Sequence, residues 1–291
     1  MLYNQLLDIF IPFLLPIVIG YCFAHWMKLE ASSLSTLVRC VFLPVILYNT
    51  LAGRLSINTF LFVALSGACV VIAGNLIVRH GDRVVKAKIS TSSALPNVAY
   101  FTIPFFALIM GTQGLGTACA FFVGSALTCL FIQSTQSKES IFKIILKEPW
   151  IYAAIIGMFF ASSPSRPALL DFLDKGLNPL IKASYPMILI YLGAYLYPLR
   201  GIQGLNHFVT VAVRLLVGFV VAVLATKILP ISTVVSKALM LAALAPPSTL
   251  GQIFGLGSDS ESDHSASKLG IVVSLVLITT ILYAGLKPWN L

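Results

Sequence analysis

The sequence is poor in charged residues. Only 10% of its 291 residues are Asp, Glu, Lys or Arg, whereas these residues make up about a quarter of an ordinary soluble domain. Hydrophobic residues account for 58% of the chain, more than a water-soluble fold of this size can bury. This scarcity of charge excludes a soluble globular protein and predicts an integral membrane protein.

Long polar segments are absent as well. A membrane-spanning helix needs about 20 mostly apolar residues, and dividing the chain at polar, Gly and Pro positions predicts ten such spans. They form two groups of five, over residues 1–134 and 149–291, joined by a cytoplasmic connection at 135–148. The predicted fold class is therefore all-α and transmembrane, with spans at Leu6–Met27, Leu34–Gly53, Ile57–Val78, Ser90–Met110, Leu115–Gln133, Pro149–Ser162, Leu177–Tyr197, Phe208–Leu229, Val234–Leu256 and Ser267–Leu286.

The motifs of several enzyme and pump classes are missing. The chain has neither an HExxH zinc pattern nor a phosphate-binding GxxxxGK[ST] loop, and Asp8 is the only carboxylate within a predicted span. The five cysteines lie in apolar stretches and are not spaced as metal ligands. We therefore predict no enzyme activity, no cofactor and no metal site, and the coupling ion stays open.

The positive charges that are present indicate orientation. The net charge of +9 is scattered over short connections and does not form the continuous basic surface of a nucleic-acid-binding protein. Lys and Arg concentrate after odd-numbered spans, and cytoplasmic loops are enriched in these residues. The predicted location is therefore the plasma membrane, with both termini outside. The basic residues that indicate this orientation are Lys28, Arg79, Arg83, Lys86, Lys88, Lys138, Lys143 and Lys147.

The two halves contain similar segments in corresponding spans. The second span reads LVRCVFLPVILY and the seventh reads LIKASYPMILIY, so each has a basic residue, then a proline, then an aliphatic run ending in tyrosine. The fourth span reads SALPNVAYF and the ninth reads LAPPSTLGQ, each with a proline followed by a small polar residue. An odd number of spans in each half means that any such similarity relates the halves by inversion.

These paired prolines predict a binding site. A proline inside a helix removes a backbone hydrogen bond, and breaks at Pro96 and at Pro246-Pro247 would each create a new half-helix with unsatisfied N–H groups. Helix N-termini attract anions. Asn97, Ser248 and Gln252 follow the breaks and could donate further hydrogen bonds to a carboxylate; the alternative is two simple kinks with polar residues joining neighbouring helices.

At these residues the chain resembles the auxin efflux carrier family, which includes bacterial malate and malonate permeases and plant auxin exporters and is similar to the bile acid sodium symporters. The resemblance extends over nearly the whole chain, although Ala99 and Thr102 stand where that family has glycines between Asn97 and Pro104. It is carried by FIPFLLPIVIGY, FLPVIL, PNVAYFTIPFFALIMG, PMILIYLGAYL, ALAPPSTLGQIFGLG and SKLGIVVSLVLITTILY.

The resemblance implies ten helices in two inverted five-helix repeats. Spans one, two, six and seven would form a scaffold, and the other spans a mobile transport domain. The broken fourth and ninth helices would cross beside the substrate. Whether the chain forms a homodimer stays open.

Further residues in the spans are candidates for the same site. Arg39, Lys182 and Arg214 could attract an anion, although snorkelling to headgroups explains the first two equally well, and Arg214 could instead pair with Asp8. Asn49 and Tyr191 could line the pocket, or serve as ordinary interfacial residues.

We therefore predict a secondary active transporter for a small organic anion such as a carboxylate, working by alternating access in the lipid bilayer. A channel or a membrane receptor for a small organic ligand is the alternative, and an intramembrane enzyme comes after these.

Overall fold

The computed structural model describes residues 2–52, 55–80, 95–137, 140–161, 168–200, 205–248 and 261–283. Every regular element in these ranges is a helix, so the predicted all-α class is confirmed. We number the helices α1 (Leu2–Trp26), α2 (Ala31–Leu51), α3 (Ile57–His80), α4 (Val98–Ile109), α5 (Gly111–Ser137), α6 (Ile141–Leu146), α7 (Pro149–Ala161), α8 (Ala168–Leu196), α9 (Leu205–Ile228), α10 (Thr233–Ala243) and α11 (Glu261–Tyr283).

Among the described residues, five helices are long and apolar enough to cross a membrane: Ala31–Leu51, Ile57–Ile77, Gly111–Ser137, Phe172–Leu196 and Leu205–Ile228. Shorter apolar helices occupy the other five predicted spans. Large aliphatic side chains stay exposed on several helices, including Leu65, Ile155 and Leu216 at 58%, 60% and 62%. Such a surface suits contact with lipid, as expected for a multi-pass membrane protein.

Helix α8 begins earlier than predicted. The sequence placed the start of the seventh span at Leu177, but the helix starts at Ala168 and contains Asp174. The Tyr48 hydroxyl donates a hydrogen bond of 3.1 Å to Asp174 Oδ1. The prediction was wrong here because hydropathy detects the apolar part of a helix, whereas a helix can continue into polar sequence. The short helix α6, within the predicted cytoplasmic connection, was missed for a different reason, because its six residues, IFKIIL, are too few for a membrane span.

Two helices contain a widened π turn just before a proline. In α2 the π turn covers Val38–Phe42 and precedes Pro44; in α4 it covers Val98–Thr102 and precedes Pro104. Proline cannot donate the usual helical hydrogen bond and clashes with the preceding turn. The wider turn changes the hydrogen-bond register and accommodates the ring without ending the helix.

Helices α1 and α8 cross at backbone distance. A Cβ at Gly20 would overlap the carbonyl oxygen of Ile190, and one at Gly193 would overlap the carbonyl oxygen of Ile17. The two glycines therefore permit a contact that any side chain would prevent.

Helices α3 and α5 cross in the same way. A Cβ at Gly67 would overlap the carbonyl oxygen of Phe121, and one at Gly124 would overlap that of Ala64. The α1–α8 contact and the α3–α5 contact thus each use one glycine from each helix.

We predict that Gly193→Ala destabilises the protein by about 2 kcal/mol, because the added methyl group forces α1 and α8 apart. Gly176→Ala on the same helix is the matched control, since a Cβ there meets nothing within 4 Å. It should leave stability unchanged or raise it slightly through helix propensity. Thermal unfolding in detergent measures both variants, and equal melting temperatures would contradict the proposed backbone contact.

Candidate functional site

Helix α4 begins at Val98, just after Pro96, and α10 ends at Ala243, shortly before Pro246 and Pro247. The segments at Pro96 and Pro247 pair as a short antiparallel bridge. The Asn97 N–H donates to the Pro246 carbonyl at 2.7 Å, and the Ser248 N–H donates to the Leu95 carbonyl at 2.8 Å. We call this pairing of residues 95–97 with residues 246–248 the crossing. The two proline segments are therefore in contact, while the parts of the predicted fourth and ninth spans before residue 95 and after residue 248 lie outside the described residues.

Asn97 lies at the start of α4 and is fully buried. Its side chain does not cap the helix, and neither its Oδ1 nor its Nδ2 has a hydrogen-bond partner. The first N–H groups of a helix also lack intrahelical acceptors, and the helix dipole makes this end electropositive. The Asn97 and Val98 N–H groups have acceptors, so the donors expected to be free are the N–H groups that follow Val98. The buried, unsatisfied Asn97 amide lies beside them, an arrangement suited to an anion.

Residues 246–248 of the crossing pack against α11. Ser248 is buried, and the Ser267 hydroxyl donates to its carbonyl oxygen at 3.4 Å. Gly270 lies beneath the prolines, since a Cβ there would stand 2.5 Å from Pro247 Cδ. Gln252 and the half-helix predicted after Ser248 lie outside the described residues, so only the α4 N-terminus is seen at the crossing.

An open cleft of about 370 Å³ separates α2 and α8 from α4 and the start of α5. Two asparagines line its α2 and α8 side, Asn49 from α2 and Asn178 from α8. Asn49 lines this cleft, and its predicted role in substrate binding stays a prediction. The sequence analysis did not single out Asn178, which lies at the start of the predicted seventh span. The other lining residues are Ala107, Gly111, Thr112, Leu115, Ile181 and Tyr185.

Further along the same helices the two sides are in contact. Tyr191 lies ten residues beyond Ile181 on α8. The centroid of its ring lies 4.5 Å from the ring centroid of Tyr100 on α4. The Tyr100 hydroxyl is 3.4 Å from that of Ser35 on α2. Both tyrosines are buried.

One turn beyond Tyr191, α8 meets α11. The Tyr195 hydroxyl lies 3.2 Å from His264 Nδ1, and Lys268 Nζ donates to the Pro198 carbonyl at 2.9 Å. Together with the Tyr100 contacts, these bonds close the end opposite the cleft. The helices therefore separate at one end and touch at the other.

The two outer basic candidates differ in their surroundings. Lys182 is exposed. Arg39 forms an ion pair with Glu148, in which Arg39 Nε donates to Glu148 Oε2 at 2.9 Å, and Trp150 Nε1 donates to the same oxygen at 2.9 Å. Glu148 is almost fully buried; the sequence analysis missed it because it lies just outside a predicted span.

Arg214 lies within α9 and is 3% exposed. Its Nη1 donates to the carbonyl of Ala243, the last residue of α10, at 3.3 Å. Nε and Nη2 have no hydrogen-bond partner. The suggested pairing with Asp8 is not present in the described part of the chain, where Asp8 is exposed.

We predict that Glu148→Gln lowers the free energy of unfolding by about 3 kcal/mol, because it leaves the half-buried Arg39 guanidinium without its counter-charge. Glu30→Gln is the matched control, since Glu30 is exposed and exposed charges contribute little. Thermal unfolding in detergent compares the two variants. A similar small effect from both would show that the ion pair does not stabilise the fold.

Comparison with known proteins supports a transport function. None of the curated proteins compared with the chain matches it. The model of the family described as membrane transport protein matches residues 133–284, just over half of the chain. This match covers α6 to α11 and therefore includes residues 246–248 of the crossing. The chain belongs to this membrane transport protein family, which is the auxin efflux carrier family.

Proposed function

We propose that the protein is a secondary active transporter that carries a small organic anion, such as a carboxylate, across the plasma membrane by alternating access. In this proposal the ten apolar helices form two inverted five-helix repeats. The helices α1, α2, α7 and α8 form a scaffold, and α3, α4, α5, α9, α10 and α11 form a mobile transport domain, with both termini outside. Assembly as a homodimer remains compatible with it.

The observation that carries the proposal is the unpartnered Asn97 side chain at the crossing. Transporters built from inverted repeats bind substrate at broken helices near the middle of the membrane. An anion at the start of α4 would accept hydrogen bonds from free backbone N–H groups and from Asn97 Nδ2. Ser248 and Gln252 would complete this site from the second broken helix.

The one-sided cleft supports alternating access. In the proposed orientation Asn49 and Lys182 lie toward the outside, so the cleft opens outward and the contacts of Tyr100, Tyr191 and Tyr195 close the cytoplasmic end. Asn49 and Tyr191 would guide substrate toward the crossing. Lys182 would attract anions outside, and Arg39 on the cytoplasmic side, where its ion pair with Glu148 reduces its free charge.

We predict that Asn97→Ala lowers carboxylate transport at least about tenfold, since a charge-assisted hydrogen bond contributes about 1.5–3 kcal/mol. Counterflow into proteoliposomes measures it, with radiolabelled malonate and radiolabelled indole-3-acetate as probes. Asn75→Ala is the matched control, because Asn75 is also a buried asparagine with an unpartnered Oδ1 but lies in α3.

Equal counterflow by wild type and Asn97→Ala would refute the role of Asn97. Wild-type flux without saturation or counterflow would indicate a channel. Binding of either probe without flux would indicate a receptor, and neither binding nor flux would remove the carboxylate proposal.

We also predict that Thr112→Cys, in a background without the five native cysteines, reacts with a membrane-impermeant maleimide added outside intact cells. Thr112 is exposed and lines the cleft. Ser35→Cys is the comparison, since Ser35 is buried at the closed end and should stay unlabelled. Labelling of Ser35→Cys from outside, or of Thr112→Cys only in inside-out vesicles, would contradict the proposed orientation.

A further inference from the structure

Arg214 lies too deep in α9 to reach the lipid headgroups. It is the tenth residue of the helix, which places it about 14 Å from the helix start at 1.5 Å per residue. Its side chain is 3% exposed, so it does not extend along the surface toward water. Snorkelling therefore does not account for this residue.

The surroundings of Arg214 provide space for a guanidinium. Gly218 follows one turn later on α9, and a Cβ there would stand 2.6 Å from Arg214 Nη1 and would overlap the Ala243 carbonyl oxygen. The glycine therefore permits both the approach of α10 and the position of the guanidinium. Nη1 satisfies a carbonyl at the electronegative end of α10.

The rest of the guanidinium is uncompensated. Nε and Nη2 are buried without an acceptor, and the ion pair among the described residues is that of Arg39 with Glu148. A buried charge without a partner is expensive, and charged residues inside the membrane usually face a partner or a cavity. A cap on α10 explains one of the three guanidinium nitrogens and leaves two unexplained.

The carbonyl that Arg214 binds is close to the crossing along the chain. It binds the carbonyl of Ala243, and the Pro246 carbonyl, three residues later, accepts the hydrogen bond from Asn97. Three residues span at most about 11 Å even when fully extended. Two buried polar side chains with unsatisfied nitrogen atoms, one neutral and one cationic, thus flank the same short segment.

We propose that Arg214 is the fixed counter-charge of the transported anion. This inference rests on the proposed function and deepens it: the substrate must carry a carboxylate or similar anionic group, and a neutral analogue is rejected. The free Nε and Nη2 donors face the anion as a fork that suits a carboxylate. The built-in cation balances the substrate charge, so binding requires no co-bound cation.

Matched pairs of acids and amides test the proposal. Competition binding to purified protein compares malonate with malonamide and indole-3-acetate with indole-3-acetamide, in sodium and in choline buffers. Wild type should prefer the acid of at least one pair, equally in both buffers. Arg214→Gln and Arg214→Met should weaken acid binding about 10- to 100-fold and leave amide binding unchanged, whereas Arg214→Lys should keep the preference for acids.

Lys227→Gln is the matched control, because it removes a positive charge from the exposed end of the same helix and should behave as wild type. If Arg214 only caps α10, its neutral variants lose thermal stability while the ratio of acid to amide affinity stays unchanged, which would overturn the inference. A need for sodium in the wild type would overturn it too.

The proposed function fails separately. If wild type binds neither acid, the carboxylate proposal itself is wrong. If wild type prefers the acid and Asn97→Ala loses it while Arg214→Gln retains it, the crossing binds the anion and only the role of Arg214 is wrong.

Discussion

The backbone pairing at the crossing is the constraint on which the site depends. A chain that leaves helical conformation inside a membrane exposes backbone groups that cannot bond to water, and each unsatisfied group costs several kcal/mol. Here Asn97 and Ser248 donate to the carbonyls of Pro246 and Leu95. Each interrupted segment therefore satisfies the other. Because of this pairing the start of α4 and the end of α10 are held at one place, and Asn97 is held at the start of α4 without capping it.

The helix contacts divide into two kinds. The contacts of α1 with α8 and of α3 with α5 bring backbone against backbone at glycines. Such close contacts admit only one arrangement. The contact of α4 with α8 uses side chains instead, the rings of Tyr100 and Tyr191. Aromatic faces tolerate several offset geometries. This difference supports the proposed division into a scaffold and a mobile transport domain.

The apolar helices and the non-helical residues at Pro96 and Pro246 follow from local chemistry, so the sequence predicts them. Apolar runs mark the spans, and Pro96 and Pro246 cannot donate helical hydrogen bonds. What it does not predict are contacts between distant segments. Glu148 and Asp174 lie in polar sequence beside the apolar runs, so hydropathy places them outside the spans, yet they bond to Arg39 and Tyr48. The start of α8 was placed too late for the same reason. The π turns could not be foreseen either, since proline alone is equally compatible with a kink.

The electrostatics of the crossing follow from which helix ends meet there. The start of α4 is electropositive and the end of α10 is electronegative, each equivalent to about half a unit charge. Left alone, the two ends would largely cancel and give an anion little net attraction. Arg214 binds the last carbonyl of α10, so the negative end is neutralised by a full positive charge. Among the described groups at the crossing, positive charge then prevails, and it comes in part from Arg214 on a third helix, α9, which binds the end of α10 through Nη1 and is proposed to face the anion with Nε and Nη2.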